Sequence, residues 1–231
     1  PYKNIGIKTL QPFPIKKNIV DALKQIENIN NLILSNNKFP LVLGGEHSLT
    51  PGAIKPFIKK FKKIHLLHFD AHADLRDSYQ GNKFSHASAI RRCLDHPNVS
   101  LVSFGIRNIS LNEIPFLKKN KRRIKIFWAK DKQKWNLKEF KKIIKNKKIY
   151  LTFDVDGLDL SLMPATGTPE PGGLFWEETI NIIKIASQSA DIVGADINEL
   201  SPIKGFDSYN FLVAKLAYKI ISYAFEYKKT K

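Results

Sequence analysis

Short apolar runs alternate along the chain with stretches whose apolar positions recur every three or four residues. In residues 18–36, Ile19, Leu23, Ile26 and Ile33 fall at helical spacing. "FPLVLGG" (39–45) is a brief apolar run stopped by glycines. "KKIHLLHFD" (62–70), "NVSLVSFG" (98–105), "RIKIFWA" (123–129), "KIYLTFDVD" (148–156) and "DIVGADINE" (191–199) read as further strands. Helical patterns fall at 85–96, 137–147, 175–188 and 208–225. Glu177 and Glu178 suit the first turn of the third of these, where the helix dipole favours negative charge. Strands that are continuously apolar, with helices between several of them, predict a parallel sheet covered on both faces. No repeat, low-complexity tract or linker divides residues 1–231. The expectation is one α/β domain of three layers.

The strand ends change this picture. In open α/β sheets ligands gather at the carboxyl ends of the strands, and there the chain places "GGEHS" (44–48), "DAHAD" (70–74), "DVDGLD" (154–159) and "NEL" (198–200). Side chains two apart on an extended segment share a face. Asp70, His72 and Asp74 are therefore expected to converge, as are Asp154 and Asp156, and His47 completes a set of six. Four packed carboxylates repel and force one another's pKa values apart. Two divalent cations would neutralise them, and six residues fill two sites if Asp70 and Asp154 each bridge. A mixed oxygen and nitrogen donor set without cysteine favours Mn²⁺ over zinc or an iron–sulfur centre. His65 and His68 read as satisfied core residues, His96 as a loop residue, and Asp159 and Asp191 as ordinary caps.

"GGEHS", "DAHAD", "SHASAIRR", "DVDGLD", "GTPEPGG" and "INELSP" occur in the order found in the ureohydrolase family of arginases and agmatinases, and the chain resembles that family from about Leu41 to its closing helix. The resemblance implies an arginase-like fold and a binuclear manganese enzyme that hydrolyses a guanidinium group to urea and an amine. On the matching positions, His47, Asp70, Asp74 and Asp154 would hold one Mn²⁺, and Asp70, His72, Asp154 and Asp156 the other. His86 matches the family's proton-shuttling histidine, and Glu199 the carboxylate that grips the guanidinium. Asp196 falls behind the ligands.

Within the family, residues 79–92 and 167–173 look like agmatinases. Arginases place a Ser-Gly-Asn segment just before the shuttle histidine, to grip the amino-acid end of arginine. Here Lys83, Phe84 and Ser85 precede His86. The implied reaction is agmatine to urea and putrescine, a step of polyamine biosynthesis. Guanidinobutyrase, arginase, formiminoglutamase and a non-catalytic metal-binding protein on the same fold are the alternatives. Glu46 and Leu160 depart from the Asp and Pro usual in the family, and the family's N-terminal strand and Gly-Pro segment are not seen before this region. The resemblance also implies a homo-oligomer, a trimer or hexamer, in the cytoplasm.

Composition bounds the partners. The 231 residues carry 38 Lys and Arg against 21 Asp and Glu, a net charge of +17. The lysines are dispersed, and no module with aromatic and basic residues in fixed register appears, so nucleic acid is not the expected partner. No apolar run approaches membrane-spanning length. The single cysteine, Cys93, reads as a small buried hydrophobe and fits a reducing compartment. The expected partner is a small guanidino compound. Agmatine is a dication, so carboxylates at the site must outweigh the positive field of the whole chain.

Overall fold

The computed structural model describes residues 5–227. Six parallel strands form one sheet in the order β1-β6-β5-β2-β3-β4, with β1 at Leu41–Leu43, β2 at Ile64–Phe69, β3 at Val99–Phe104, β4 at Ile124–Phe127, β5 at Lys148–Asp154 and β6 at Asp191–Asn198. Helices α1 (Ile19–Ser35), α2 (Thr50–Lys60), α3 (Ala89–Leu94), α4 (Ile114–Lys119), α5 (Leu137–Ile144), α6 (Trp176–Ser189) and α7 (Asp207–Glu226) connect and flank it. The central strands β2, β3, β5 and β6 bury both faces. Leu67 and Phe69 of β2 face a core shared with α5, α6 and α7. Ile64 and Leu66 face a second core shared with α2 and α3.

Local chemistry sets the helix boundaries. The Asn18 side chain accepts the N–H groups of Val20 and Asp21 and so starts α1. Three helices differ from the sequence reading. α2 carries Pro51 in its first turn and Pro56 inside it, so its pattern does not read as helical. Proline is well tolerated at the start of a helix, and the buried Ile54 and Phe57 supply the packing that holds the rest. α4, also not expected from the sequence, follows a turn in which the Ser110 N–H donates to Glu113 Oε2 at 2.6 Å and the Glu113 N–H to the Ser110 carbonyl at 3.0 Å. The helix expected over 85–96 is a 3₁₀ turn, His86–Ser88, that continues into the shorter α3.

Four phenylalanines lock the sheet register. Phe153, Phe69, Phe104 and Phe127 are direct partners across β5, β2, β3 and β4. Their rings stack with centroids 4.9 Å (Phe153–Phe69), 6.0 Å (Phe69–Phe104) and 4.5 Å (Phe104–Phe127) apart. Asp70 and Asp154 are the next residues after Phe69 and Phe153, so this row fixes where both carboxylates emerge. Phe104 also meets Phe140 and Trp135 edge-on. We expect Phe104→Ala to destabilise the protein by about 3–5 kcal/mol, read from urea unfolding. A loss under about 1 kcal/mol would show that the row does not anchor the sheet.

Chain order runs outward from β2 through β3 to β4, then returns to β5 beside β2 and continues to β6. The reversal leaves a crevice at the carboxyl ends of β2 and β5, where open α/β sheets bind ligands. Gly157 lets the two strand ends meet there. A Cβ on it would lie 2.6 Å from the Asp70 nitrogen.

Candidate metal centre

The six side chains expected to converge do come together in that crevice, but by a different route than strand pleating. β2 ends at Phe69 and β5 at Asp154. Asp70, His72 and Asp74 lie in the loop that follows β2, with Asp74 in the left-handed region at φ +52°. Asp156 sits in a 3₁₀ turn, Val155–Gly157, whose first free N–H is capped by Asp154: Asp156 N–H donates to Asp154 Oδ1 at 3.0 Å. His47 begins another 3₁₀ turn, His47–Leu49, after β1.

Two groups share one carboxylate. His47 Nδ1 lies 3.1 Å from Asp70 Oδ2, 3.2 Å from Asp74 Oδ2 and 3.2 Å from Asp154 Oδ2. His72 Nδ1 lies 3.0 Å from Asp156 Oδ2 and 3.5 Å from Asp70 Oδ1. Asp70 thus turns one oxygen to each imidazole. Buttresses orient the donors. Ala71 N–H donates to Asp156 Oδ1 at 2.9 Å, and the Thr168 hydroxyl to Asp156 Oδ2 at 3.2 Å. Arg107 spreads its guanidinium over the carbonyls of Gly105, Asp156, Gly157, Leu158 and Glu170, tying the loop after β3 to the turn after β5.

The electrostatics are those of too many carboxylates in too little water. Asp154 and Asp156 are pushed upward by burial and by neighbouring carboxylates, and Asp74 reaches about 7 for the same reasons. Asp70 is the exception. Burial opposes its ionisation, yet contacts with His68, His47 and His72 hold its carboxyl well below the usual range. Burial would lower the pKa of His72, but hydrogen bonds to Asp156 and Asp70 carry it to about 11.

His47 supplies the test of whether a cation fits. The ring is fully buried, and Nδ1 makes no hydrogen bond although three carboxylate oxygens surround it. An imidazole nitrogen and three carboxylate oxygens facing one point are, once the nitrogen is deprotonated, the donors of a hard or borderline divalent cation. His68 and Asp70 share their group with His47, while His72 and Asp156 form a second group with Asp70.

The residues expected to act on a substrate flank this cage. His86 is at the start of its 3₁₀ turn, with Ser85 capping and with its side chain 45% exposed. Its Nδ1 is 2.8 Å from Glu46 Oε1, and Glu46 Oε2 accepts the Ser48 hydroxyl at 2.6 Å. Glu199 follows β6 with φ +66°, a conformation that non-glycine residues rarely adopt and that clusters at functional sites. Its N–H donates to the Gly45 carbonyl at 2.7 Å, and its Oε1 accepts the His47 backbone N–H at 2.6 Å. Burial pushes its carboxyl pKa up. Lys83 is exposed.

Sequence reading missed several supporting residues. His68 is buried and fully bonded, as expected of a core histidine, but its partners are Asp70 Oδ2 at 2.8 Å and Ser103 Oγ at 3.0 Å. It braces the shared carboxylate. Its position two before Asp70 was the available signal. Thr152 carries the same signal, two before Asp154. Glu46 and Arg107 gave none, because the partners that tie them to the site, His86 for Glu46 and the carbonyls of Asp156, Leu158 and Glu170 for Arg107, are remote in sequence.

A family model described as the arginase family matches residues 1–223. The N(1)-aminopropylagmatine ureohydrolase of Synechocystis is 34% identical over 202 residues, covering 86% of this chain and 65% of that protein. The agmatinase of Pyrococcus horikoshii is 35% identical over 204 residues, covering 87% of this chain and 67% of that protein. The crystal structure of the agmatine ureohydrolase of Thermoplasma volcanium superposes with a TM-score of 0.81 at 32% identity, covering 94% of this chain and 73% of that one. The chain thus spans about two thirds of the length of the curated relatives it matches. The strand order, the carboxylate and histidine cage at the β2–β5 crevice and these likenesses agree: the chain belongs to the arginase family.

Proposed function

We propose that this chain carries the catalytic centre of a two-metal hydrolase that cleaves the guanidinium group of agmatine to urea and putrescine. The buried His47 Nδ1, unbonded and aimed at three carboxylate oxygens, carries the reading. His47, Asp70, Asp74 and Asp154 would hold one Mn²⁺, and Asp70, His72, Asp154 and Asp156 the other. Such a pair supplies Lewis acidity and makes water a nucleophile near neutral pH.

The chain's own residues do the rest. Glu199 accepts the His47 N–H with one oxygen and offers the other to the guanidinium, a charge-assisted hydrogen bond. Its left-handed backbone turns the carboxylate back toward the cage. His86 returns a proton to the departing amine. Glu46, on Nδ1 of His86, orients the ring and leaves Nε2 to serve the reaction. The carboxylates at the cage give the local negative field that a dicationic substrate needs against the net charge of +17.

Substrate choice lies at the far end of the chain of methylenes, because Glu199 treats every guanidinium alike. Arginine and guanidinobutyrate bring a carboxylate there, which is costly to bury without a partner. No Ser-Gly-Asn segment immediately precedes His86, and Lys83 is exposed. The relatives' names add a longer amine, N(1)-aminopropylagmatine, to the compounds worth comparing. With Mn²⁺ present, kcat/KM for agmatine should exceed that for L-arginine and for 4-guanidinobutyrate by at least about tenfold, the equivalent of about 1.4 kcal/mol. A higher value for arginine would overturn the substrate assignment and leave the hydrolytic reading standing. No helix among the described residues is long and apolar enough to cross a membrane. The lone cysteine supports our placement in the cytoplasm, and we expect the working enzyme to be a homo-oligomer.

A further inference from the structure

The cage rests on a row of polar residues inside the sheet. Asp196, Thr152, His68 and Ser103 are register partners across β6, β5, β2 and β3, and all are buried. Hydrogen-bond chemistry fixes the direction along half of this row. The Asn198 amide Nδ2 can only donate, and it does so to Asp196 Oδ1 at 2.7 Å. Thr152 Oγ1 lies 2.6 Å from the same oxygen and gives its only proton there. The Thr152 oxygen is then left to accept, from Thr50 Oγ1 at 3.2 Å and from His47 Nε2 at 2.9 Å. His47 must therefore carry a proton on Nε2. Its other nitrogen is the one that faces Asp70, Asp74 and Asp154.

We propose that Thr152 and Asp196 are positioning residues for His47: the Asp196–Thr152 pair keeps the imidazole proton on Nε2 and holds the ring so that Nδ1 is presented to the three carboxylates. The proposal deepens the reading of this cage as a cation site and rests on it. Its effect falls on one of the two sites. His72 has a different environment, with a ring 26% exposed and Nε2 3.9 Å from Glu170 Oε1, and neither Thr152 nor Asp196 bonds to it. Outer partners of metal-bound histidines typically set the tautomer and orientation, and losing one costs about 10–100-fold in affinity. Here the outer partner is a neutral hydroxyl made directional by a buried carboxylate, so removing either member should weaken the same ion.

The test is stepwise Mn²⁺ titration of the metal-free chain by calorimetry, comparing wild type with Thr152→Val, Asp196→Ala and Thr152→Ser, each checked for native circular dichroism. Thr152→Val and Asp196→Ala should weaken one of the two binding steps by about 10–100-fold and leave the other within about threefold. Thr152→Ser keeps the hydroxyl and should restore the wild-type isotherm. If Thr152→Val does not fold, Asp196→Ala with Thr152→Ser decides. A parallel readout needs no metal. In long-range proton–nitrogen NMR spectra, His47, assigned by loss of its signals in His47→Gln, should show a slowly exchanging Nε2 proton that Thr152→Val exposes. A folded Thr152→Val protein with a wild-type isotherm would overturn the proposal, and so would equal weakening of both steps, the mark of a purely structural role. A wild-type chain that binds no cation, yet shows the protected Nε2 proton and loses it in Thr152→Val, would uphold the relay and refute the cation reading.

Discussion

Asp70→Asn should abolish urea release and remove both cations from the chain. Among the described residues Asp70 alone divides its two oxygens between His47 and His72, Oδ2 at 3.1 Å from His47 Nδ1 and Oδ1 at 3.5 Å from His72 Nδ1. Asparagine keeps one carbonyl oxygen and replaces the other by an N–H₂ donor, which points a proton at a lone pair where a cation is to sit. The loss should exceed the roughly 10–100-fold typical of a residue that only orients a ligand. Elemental analysis after gel filtration and a urea assay measure it together. Asp74→Asn, by contrast, touches only the His47 group and should spare the second ion. Retention of two tightly bound ions by Asp70→Asn would show that the shared carboxylate is not the bridge.

His86→Ala should behave in the opposite way, with slow turnover and intact metal. His86 contacts Glu46 and the edge of the Tyr79 ring rather than the cage, so its removal leaves the donor set in place. A proton carrier contributes on the order of 10²–10⁴ in rate, and kcat should fall by that much at unchanged metal content. Glu46→Gln leaves His86 present but loosens its orientation, and should cost less. A His86→Ala protein that turns over at the wild-type rate would remove this residue from the mechanism. One that loses its metal would move the residue into the cage.

These two residues also show what the sequence could and could not disclose. The strands at 64–69, 148–154 and 191–198 were legible because buried parallel strands are continuously apolar. The polar residues stood out against that background, and so the six cage residues were findable as a set. Their convergence was expected from period-two alternation, yet Asp156 arrives through a 3₁₀ turn and Asp74 through a left-handed residue. The destination was right and the local geometry was not, because loop conformation depends on what the loop packs against. Arg107, whose guanidinium collects five carbonyls, was invisible for the same reason: its partners lie in segments up to 63 residues away. The row Asp196–Thr152–His68–Ser103 needs the strand order β6-β5-β2-β3 before it can be seen, and no single strand carries that order. Helix α2 was hidden by Pro51 and Pro56, whose local preference is overridden by the burial of Ile54 and Phe57.

The fold's own arrangement explains why the cage forms at this crevice. The phenylalanine row stiffens one face of β5, β2, β3 and β4, and in β5, β2 and β3 a polar residue occupies the other face one position earlier. Asp70 and Asp154 emerge one residue beyond the phenylalanines, on the same face as His68 and Thr152. Sheet register therefore sets where Asp70 and Asp154 leave the strands, while His47, His72, Asp74 and Asp156 are placed by the loops and 3₁₀ turns that follow the strands.

The most direct test of the account is the metal dependence of urea release from agmatine. Protein stripped with a chelator and dialysed should release no urea, and activity should return on adding Mn²⁺, rising until two ions are bound per chain. Urea release that survives complete stripping, or a fully loaded, folded protein that releases none from agmatine, L-arginine, 4-guanidinobutyrate or N(1)-aminopropylagmatine, would contradict it.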